Sequence, residues 1–170
     1  MHRIRKKTNL TQVIFVVYCL LLIWLVMFKL AFSVSGIYHL KAVRSINLIP
    51  FYYDVEVGGF HTKEVALNVL VFIPFGLYLK MLNVSEKKAV LYGCAASFTL
   101  ELCQLLFSVG KSDITDLLTN TLGTAIGVCA YALARWLFRD AQKTDRMING
   151  IVCIALSVFF LLFFLLYFAN

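Results

Sequence analysis

A chain of 170 residues that is 61% hydrophobic and only 15% charged, with a mean hydropathy of +0.84, carries more apolar side chain than a soluble core can bury; soluble domains run nearer ~45–50% apolar and ~25% charged. The composition excludes a soluble globular domain and implies a bilayer, whose ~30 Å hydrocarbon layer is crossed by ~20 apolar residues in a helix. The net charge of +7 is split among short segments beside apolar runs, where anionic lipid headgroups are the natural counter-charge, so nucleic acid is not an expected partner.

Five apolar runs reach spanning length: Val13–Val34, Val65–Leu82, Ala89–Phe107, Leu117–Phe138 and Gly150–Ala169, with ends good to ~2–4 residues. They predict one all-α domain over residues 1–170, a polytopic membrane helix bundle of about five transmembrane helices. The first run is too long for the apolar region of a signal peptide, and Phe32-Ser33-Val34-Ser35-Gly36 offers no convincing cleavage site, so it is expected to stay as an N-terminal anchor helix. Pro74, inside the second run, removes one backbone hydrogen bond and predicts a kink that neighbouring helices can accommodate.

The longest connection, Ser35–Glu64, contains Asn47-Leu48-Ile49-Pro50-Phe51-Tyr52-Tyr53. Pro50 restricts Ile49 to extended geometry, and the aromatics suit the headgroup level. The segment is therefore expected to lie as an interfacial or re-entrant lid, with Gly58-Gly59 turning the chain into the second span and His61 as a loop residue.

Lys and Arg favour the cytoplasmic side of short loops. With the N-terminus inside, Arg3, Arg5, Lys6, Lys7, Lys80, Lys87, Lys88, Arg135, Arg139, Lys143 and Arg146 fall on the cytoplasmic side, against Lys41, Arg44, Lys63 and Lys111 outside. The expected topology is a cytoplasmic N-terminus and an extracytoplasmic C-terminus. Cys19, Cys94, Cys103, Cys129 and Cys153 all fall in apolar runs without metal-ligand spacing; they read as small buried hydrophobes, and neither a metal nor a cofactor is expected.

Polarity where lipid should be is the informative feature, because an ionisable group in a span is costly and normally faces the bundle interior. Glu101 and Gln104 are three apart on one face of the third span, and Asn120 continues a face begun by Asp113 and Asp116 in the fourth. Asn68 follows Glu64 by four in the second, and Lys29 sits near the end of the first. By the helical rise all lie within roughly 10 Å of the outer ends of their spans. Coincident depth on four helices is what a shared site requires. The alternatives are separate: Lys29 can snorkel on its apolar stem or pair with Glu101, Asn68 and Asn120 can act as interhelical glue, and Asp113 can simply cap the fourth helix. Gly123-x-x-x-Gly127 reads as a close-packing face.

Four ordered motifs, Asn47-Leu48-Ile49-Pro50-Phe51, Asn68 followed by Phe72-Ile73-Pro74-Phe75-Gly76, Glu101-x-x-Gln104, and Gly110-x-x-Asp113-Ile114-Thr115-Asp116-x-x-Thr119-Asn120-Thr121-x-Gly123, resemble those of the VanZ-like family. The resemblance covers about Asn47–Gly127, and Ile23-Trp24-Leu25-Val26-Met27-Phe28-Lys29-Leu30 is similar to the first span of its teicoplanin-resistance branch. Many wider members carry an arginine before the Asp-Ile-x-Asp motif, where this chain has Lys111. The resemblance implies a bacterial cell-membrane protein associated with resistance to teicoplanin-like glycopeptides, and it supplies no mechanism. The expected ligand-binding residues are Asn47, Asn68, Glu101, Gln104, Asp113, Asp116 and Asn120, forming an outer-leaflet pocket for an envelope lipid, a lipid-anchored glycopeptide or a cell-wall precursor. A small membrane enzyme acting on an envelope lipid or glycan, with Glu101 as acid/base and Asp116 or Asn120 orienting the substrate, is the alternative. A transporter is disfavoured because the polar groups are confined to one leaflet and no inverted repeat is visible.

Overall fold

In the computed structural model, residues 9–28, 45–51, 60–107 and 111–169 are described. Five helices account for nearly all of them: α1 Asn9–Phe28, α2 Phe60–Met81, α3 Glu86–Phe107, α4 Ile114–Phe138 and α5 Ala141–Ala169. All five are long and apolar enough to cross a membrane, so the protein is an all-α membrane bundle. Two three-residue strands, β1 Ser45–Asn47 and β2 Lys111–Asp113, complete it.

The helices start earlier than hydropathy predicts, because capping and not apolarity sets a helix end. Asp140 accepts from the backbone N–H groups of Gln142 (2.7 Å) and Lys143 (3.3 Å) and so caps α5. Those two N–H groups hold its carboxyl below the ordinary aspartate value. The polar Gln142–Arg146 stretch is thereby helical, and the 29 residues of α5 extend ~43 Å, well past the hydrocarbon layer. The expected start at Gly150 is corrected accordingly. Asp113 does the same for α4 from an extended conformation (φ −128°, ψ 124°), its carboxylate accepting from Thr115 N–H at 2.8 Å. At the other end α4 stops with Arg139 in the left-handed region (φ 52°). Asn83 (φ 60°) turns α2 into α3 with Val84 N–H closing on the Leu79 carbonyl; asparagine is among the few residues that adopt this conformation readily.

The α2–α4 seam is built on backbone contact. A Cβ on Gly123 would overlap the Val69 carbonyl, one on Gly127 the Ile73 carbonyl, and one on Gly76 the Thr124 carbonyl. Each glycine thus points a Cα–H at a carbonyl of the facing helix, the close approach that stabilises helix pairs in lipid without a hydrophobic driving force. Pro74 sits within this seam and α2 continues through it. On the other flank of α2, Phe15 and Tyr18 of α1 stack on Tyr78, with ring centroids 5.3 and 6.2 Å away, and the Tyr18 hydroxyl donates to the Val71 carbonyl. α5 is peripheral: Trp24 of α1 meets Phe163 edge-on at 5.6 Å, while Phe160, Phe164 and Phe168 are exposed, as side chains facing lipid must be.

The long connection between α1 and α2 carries a strand that the sequence reading did not expect. Its described part contains β1, which pairs in parallel with β2 in the register Ser45↔Lys111, Ile46↔Ser112, Asn47↔Asp113. A turn at Pro50-Phe51 follows, with Leu48, Ile49 and Phe51 exposed. Three-residue strands leave no period for a sequence pattern to register. Tyr52, Tyr53, Gly58 and Gly59 lie outside the described residues, as does Lys29.

Candidate functional site

The site grows from the α3–β2–α4 connection. Because α3 and α4 are antiparallel neighbours joined by a short link, Glu101 near the end of α3 and Asp113 at the head of α4 meet. Glu101 Oε2 accepts from the Asp113 backbone N–H at 2.9 Å. The Asp113 carboxylate is shared, Oδ1 capping α4 through Thr115 N–H and Oδ2 accepting from Asn47 Nδ2 at 3.0 Å. The Asn47 amide oxygen accepts from Ile49 N–H at 3.2 Å, and the Thr115 hydroxyl accepts from Phe51 N–H at 3.0 Å. Phe51, with φ 55°, is a bulky residue in the left-handed region, a conformation that persists only where its surroundings impose it. The Asn-Leu-Ile-Pro-Phe segment is thus fixed onto the head of α4 by the ladder and two side chains.

One turn into α4, Asp116 Oδ1 accepts from Asn68 Nδ2 of α2 at 2.7 Å. Asn120, a turn deeper and fully buried, donates to Ser97 Oγ of α3 at 2.9 Å. Ser97 is itself one turn below Glu101, so the α3 face Gly93, Ser97, Glu101 and Gln104 is buried along its length. Gly93 leaves room there for the Thr124 side chain, which a Cβ would strike. Glu101 is only 5% exposed, a level at which a carboxylate must be hydrogen-bonded or paired.

Asn47, Glu101 and Asp113 are therefore joined directly, Asn68 and Asp116 form a pair beside them, and Asn120 lies beneath through Ser97. Gln104 is not tied to this set. Its amide nitrogen donates to the Val26 carbonyl of α1 at 2.8 Å, which attaches α1 to α3, while its amide oxygen is buried without a hydrogen bond among the described residues. The end of α4 that carries Asp113 is the sheet end of the bundle, where β1 and β2 pair.

Sequence reasoning missed Ser97 and Thr115, although Ser97 stands four residues before Glu101 and so on its face. It also missed the polar contacts of the opposite end. There Tyr78 donates to Asn149 (3.2 Å), Asn149 to Thr11 (2.9 Å), and Tyr131 to Asp145 (3.1 Å). The Asn149 pair was not visible because residues 138 apart are brought together only by packing of α1 against α5.

The acceptor-rich, partly buried sheet end can bind hydrogen-bond donors or shift protons. Among the described residues no group of three His, Cys, Asp or Glu side chains is placed to hold a metal ion.

Comparisons with known proteins agree on kinship. Protein VanZ of Enterococcus faecium is 36% identical over 144 residues, covering 82% of this chain and 83% of its own. No solved structure matches the chain. The family model described as VanZ/LLP1 matches residues 15–139, a stretch containing every side chain of the sheet-end cluster, and the chain belongs to that family.

Proposed function

We propose that the sheet end faces the outside of the cell membrane and that its polar cluster binds the headgroup of an envelope lipid or of a lipid-anchored ligand, through which the protein contributes to resistance to teicoplanin-like glycopeptides. The observation that carries this reading is the hydrogen-bonded set Asn47, Asp113 and Glu101, with Asn68 and Asp116 beside it, drawn from β1, α2, α3 and the head of α4 to one end of an apolar bundle. Carboxylates at that depth cost far more than the small side chains that suffice for helix packing. The orientation rests on the excess of Lys and Arg at the opposite end. Teicoplanin-like drugs carry an acyl chain that brings them to the outer leaflet, where such a cluster would meet them or the lipid-linked precursor they bind.

Teicoplanin susceptibility of cells expressing Glu101→Gln and Asp116→Asn, with the membrane content of each variant followed by immunoblot, tests the proposal. Each change removes a charged hydrogen-bonding partner and is expected to weaken ligand binding about tenfold, lowering protection at unchanged membrane content. Full protection by both variants at wild-type membrane content would contradict it.

A further inference from the structure

Arg135, in the last turn of α4, is the one described guanidinium with a buried nitrogen that meets no acceptor in the protein. It stands one turn beyond Tyr131 on the α4 face toward α5, where the Tyr131 hydroxyl already engages Asp145. The Asp140 carboxylate is directed to the N–H groups of Gln142 and Lys143 and feels Arg135 through space as a minor influence that lowers its pKa, without a hydrogen bond to the buried guanidinium nitrogen. A guanidinium N–H covered by protein and left without an acceptor is costly, and it favours whatever anion can reach it. Arginine presents its donors as a planar fork that matches a phosphate.

The surroundings select among anions. Lys80, Lys87, Lys88, Arg139, Lys143 and Arg146 lie at the same end of the bundle, against Glu86, Asp140 and Asp145, with Lys80 and Glu86 paired at 3.6 Å. The side chain after Arg135 is Trp136, 70% exposed, followed by exposed Leu137 and Phe138. An exposed tryptophan at the end of an apolar helix sits at headgroup level, with the acyl region on one side and water on the other. A free phosphate ion would use the basic groups alone; a lipid would use both those groups and this apolar rim.

We propose that Arg135 anchors a specific site for the phosphodiester headgroup of an anionic membrane lipid at the end of the bundle opposite the sheet, with Trp136 and Phe138 against its acyl chains. The site is separate from the sheet-end cluster and does not depend on the function proposed for it. Arg139, exposed and in the left-handed cap position, contributes only to the general attraction.

Native mass spectrometry of the purified full chain in detergent, titrated with phosphatidylglycerol or phosphatidylcholine, reads this directly. The wild type is expected to retain phosphatidylglycerol preferentially. Arg135→Gln is expected to lose about tenfold in retention, as for a bond to a charged group, whereas Arg139→Gln changes it less than about twofold, as for an exposed charge. Inorganic phosphate is expected not to displace the lipid. Equal losses in the two variants would reduce the site to a diffuse basic belt and overturn the proposal. So would a wild type that binds both lipids alike, or displacement by inorganic phosphate at concentrations comparable to the lipid. If Arg135→Gln does not fold, Arg135→Lys decides: it keeps the charge and loses the fork, so reduced retention supports the site and unchanged retention refutes it.

Discussion

At the sheet end, the four bonds that define the cluster all terminate on carboxylates: Asn47 and Thr115 N–H on Asp113, Asn68 on Asp116, and Asp113 N–H on Glu101. At the opposite end the bonds that join α1, α2 and α5 are neutral, Tyr78 to Asn149 and Asn149 to Thr11, while the carboxylates there serve the Tyr131–Asp145 bond, the Asp140 cap of α5 and the Lys80–Glu86 pair. Neutral interhelical bonds fix helix positions and are worth about 0.6 kcal/mol on average in membrane bundles. That is sufficient for assembly. Glu101, as buried as those neutral groups, adds a desolvation penalty that assembly does not require, and this is the ground for proposing a ligand at the sheet end.

The comparison first demands that the two ends lie on opposite sides of the membrane, and the expected effect is all-or-none. In a chain whose five native cysteines are replaced, a cysteine at Lys111 should react with an impermeant thiol reagent in intact cells, and one at Lys87 or Arg139 should not. Labelling at Lys87 would place the cluster inside and remove the proposed access from the outer leaflet.

The scaffold common to both ends gives the next largest effect. Gly127→Ala forces a Cβ into the Ile73 carbonyl and is expected to destabilise the bundle by about 1–3 kcal/mol, as overpacking does. Gly150 is a helical glycine with nothing within 4 Å of the added carbon, so Gly150→Ala should be neutral or gain up to about 1 kcal/mol from helix propensity. Thermal unfolding in detergent separates the two. Similar melting shifts of the same sign would mean that the α2–α4 seam is looser than its geometry.

Much of this is legible in the sequence. Five spans follow from apolar length alone, and the roles of Asp113 as cap and of Gly123 and Gly127 as contact points follow from helix-end and close-packing rules. The placing of Asn68, Glu101, Asp113 and Asp116 at one end follows from depth along antiparallel helices, whereas Asn47, which lies on no helix, entered only through its motif. Direction around the helix axis was harder. Gln104 shares a face with Glu101, yet its amide N–H, a donor that a carboxylate lacks, and its position nearer the end of α3 bring it to the Val26 carbonyl. The strand pair and the Tyr78–Asn149–Thr11 chain depend on partners 66 to 138 residues away, and no local period or propensity encodes such separations. The early start of α5 was hidden because Gln142, Lys143, Asp145 and Arg146 lower hydropathy while leaving helix formation intact.

A smaller effect belongs to the opposite end. Tyr78→Phe removes the hydroxyl that donates to Asn149 while keeping the ring stack with Phe15 and Tyr18. The loss should be about 0.6 kcal/mol, read as a small drop in melting temperature, with teicoplanin protection unchanged. Lost protection without lost stability would give that end a functional part that the comparison denies it.

The reciprocal exchange Asn68→Asp with Asp116→Asn tests the central claim most directly, because it keeps an amide and a carboxylate within bonding distance and moves only the charge, from α4 to α2. If the pair serves packing alone, the double variant restores both stability and protection relative to either single change. The account predicts restored melting temperature and membrane content without restored teicoplanin protection, since the ligand is expected to require the carboxylate beside Asp113 and Glu101. Full recovery of protection in the exchanged protein would contradict it and return the sheet-end cluster to a structural role.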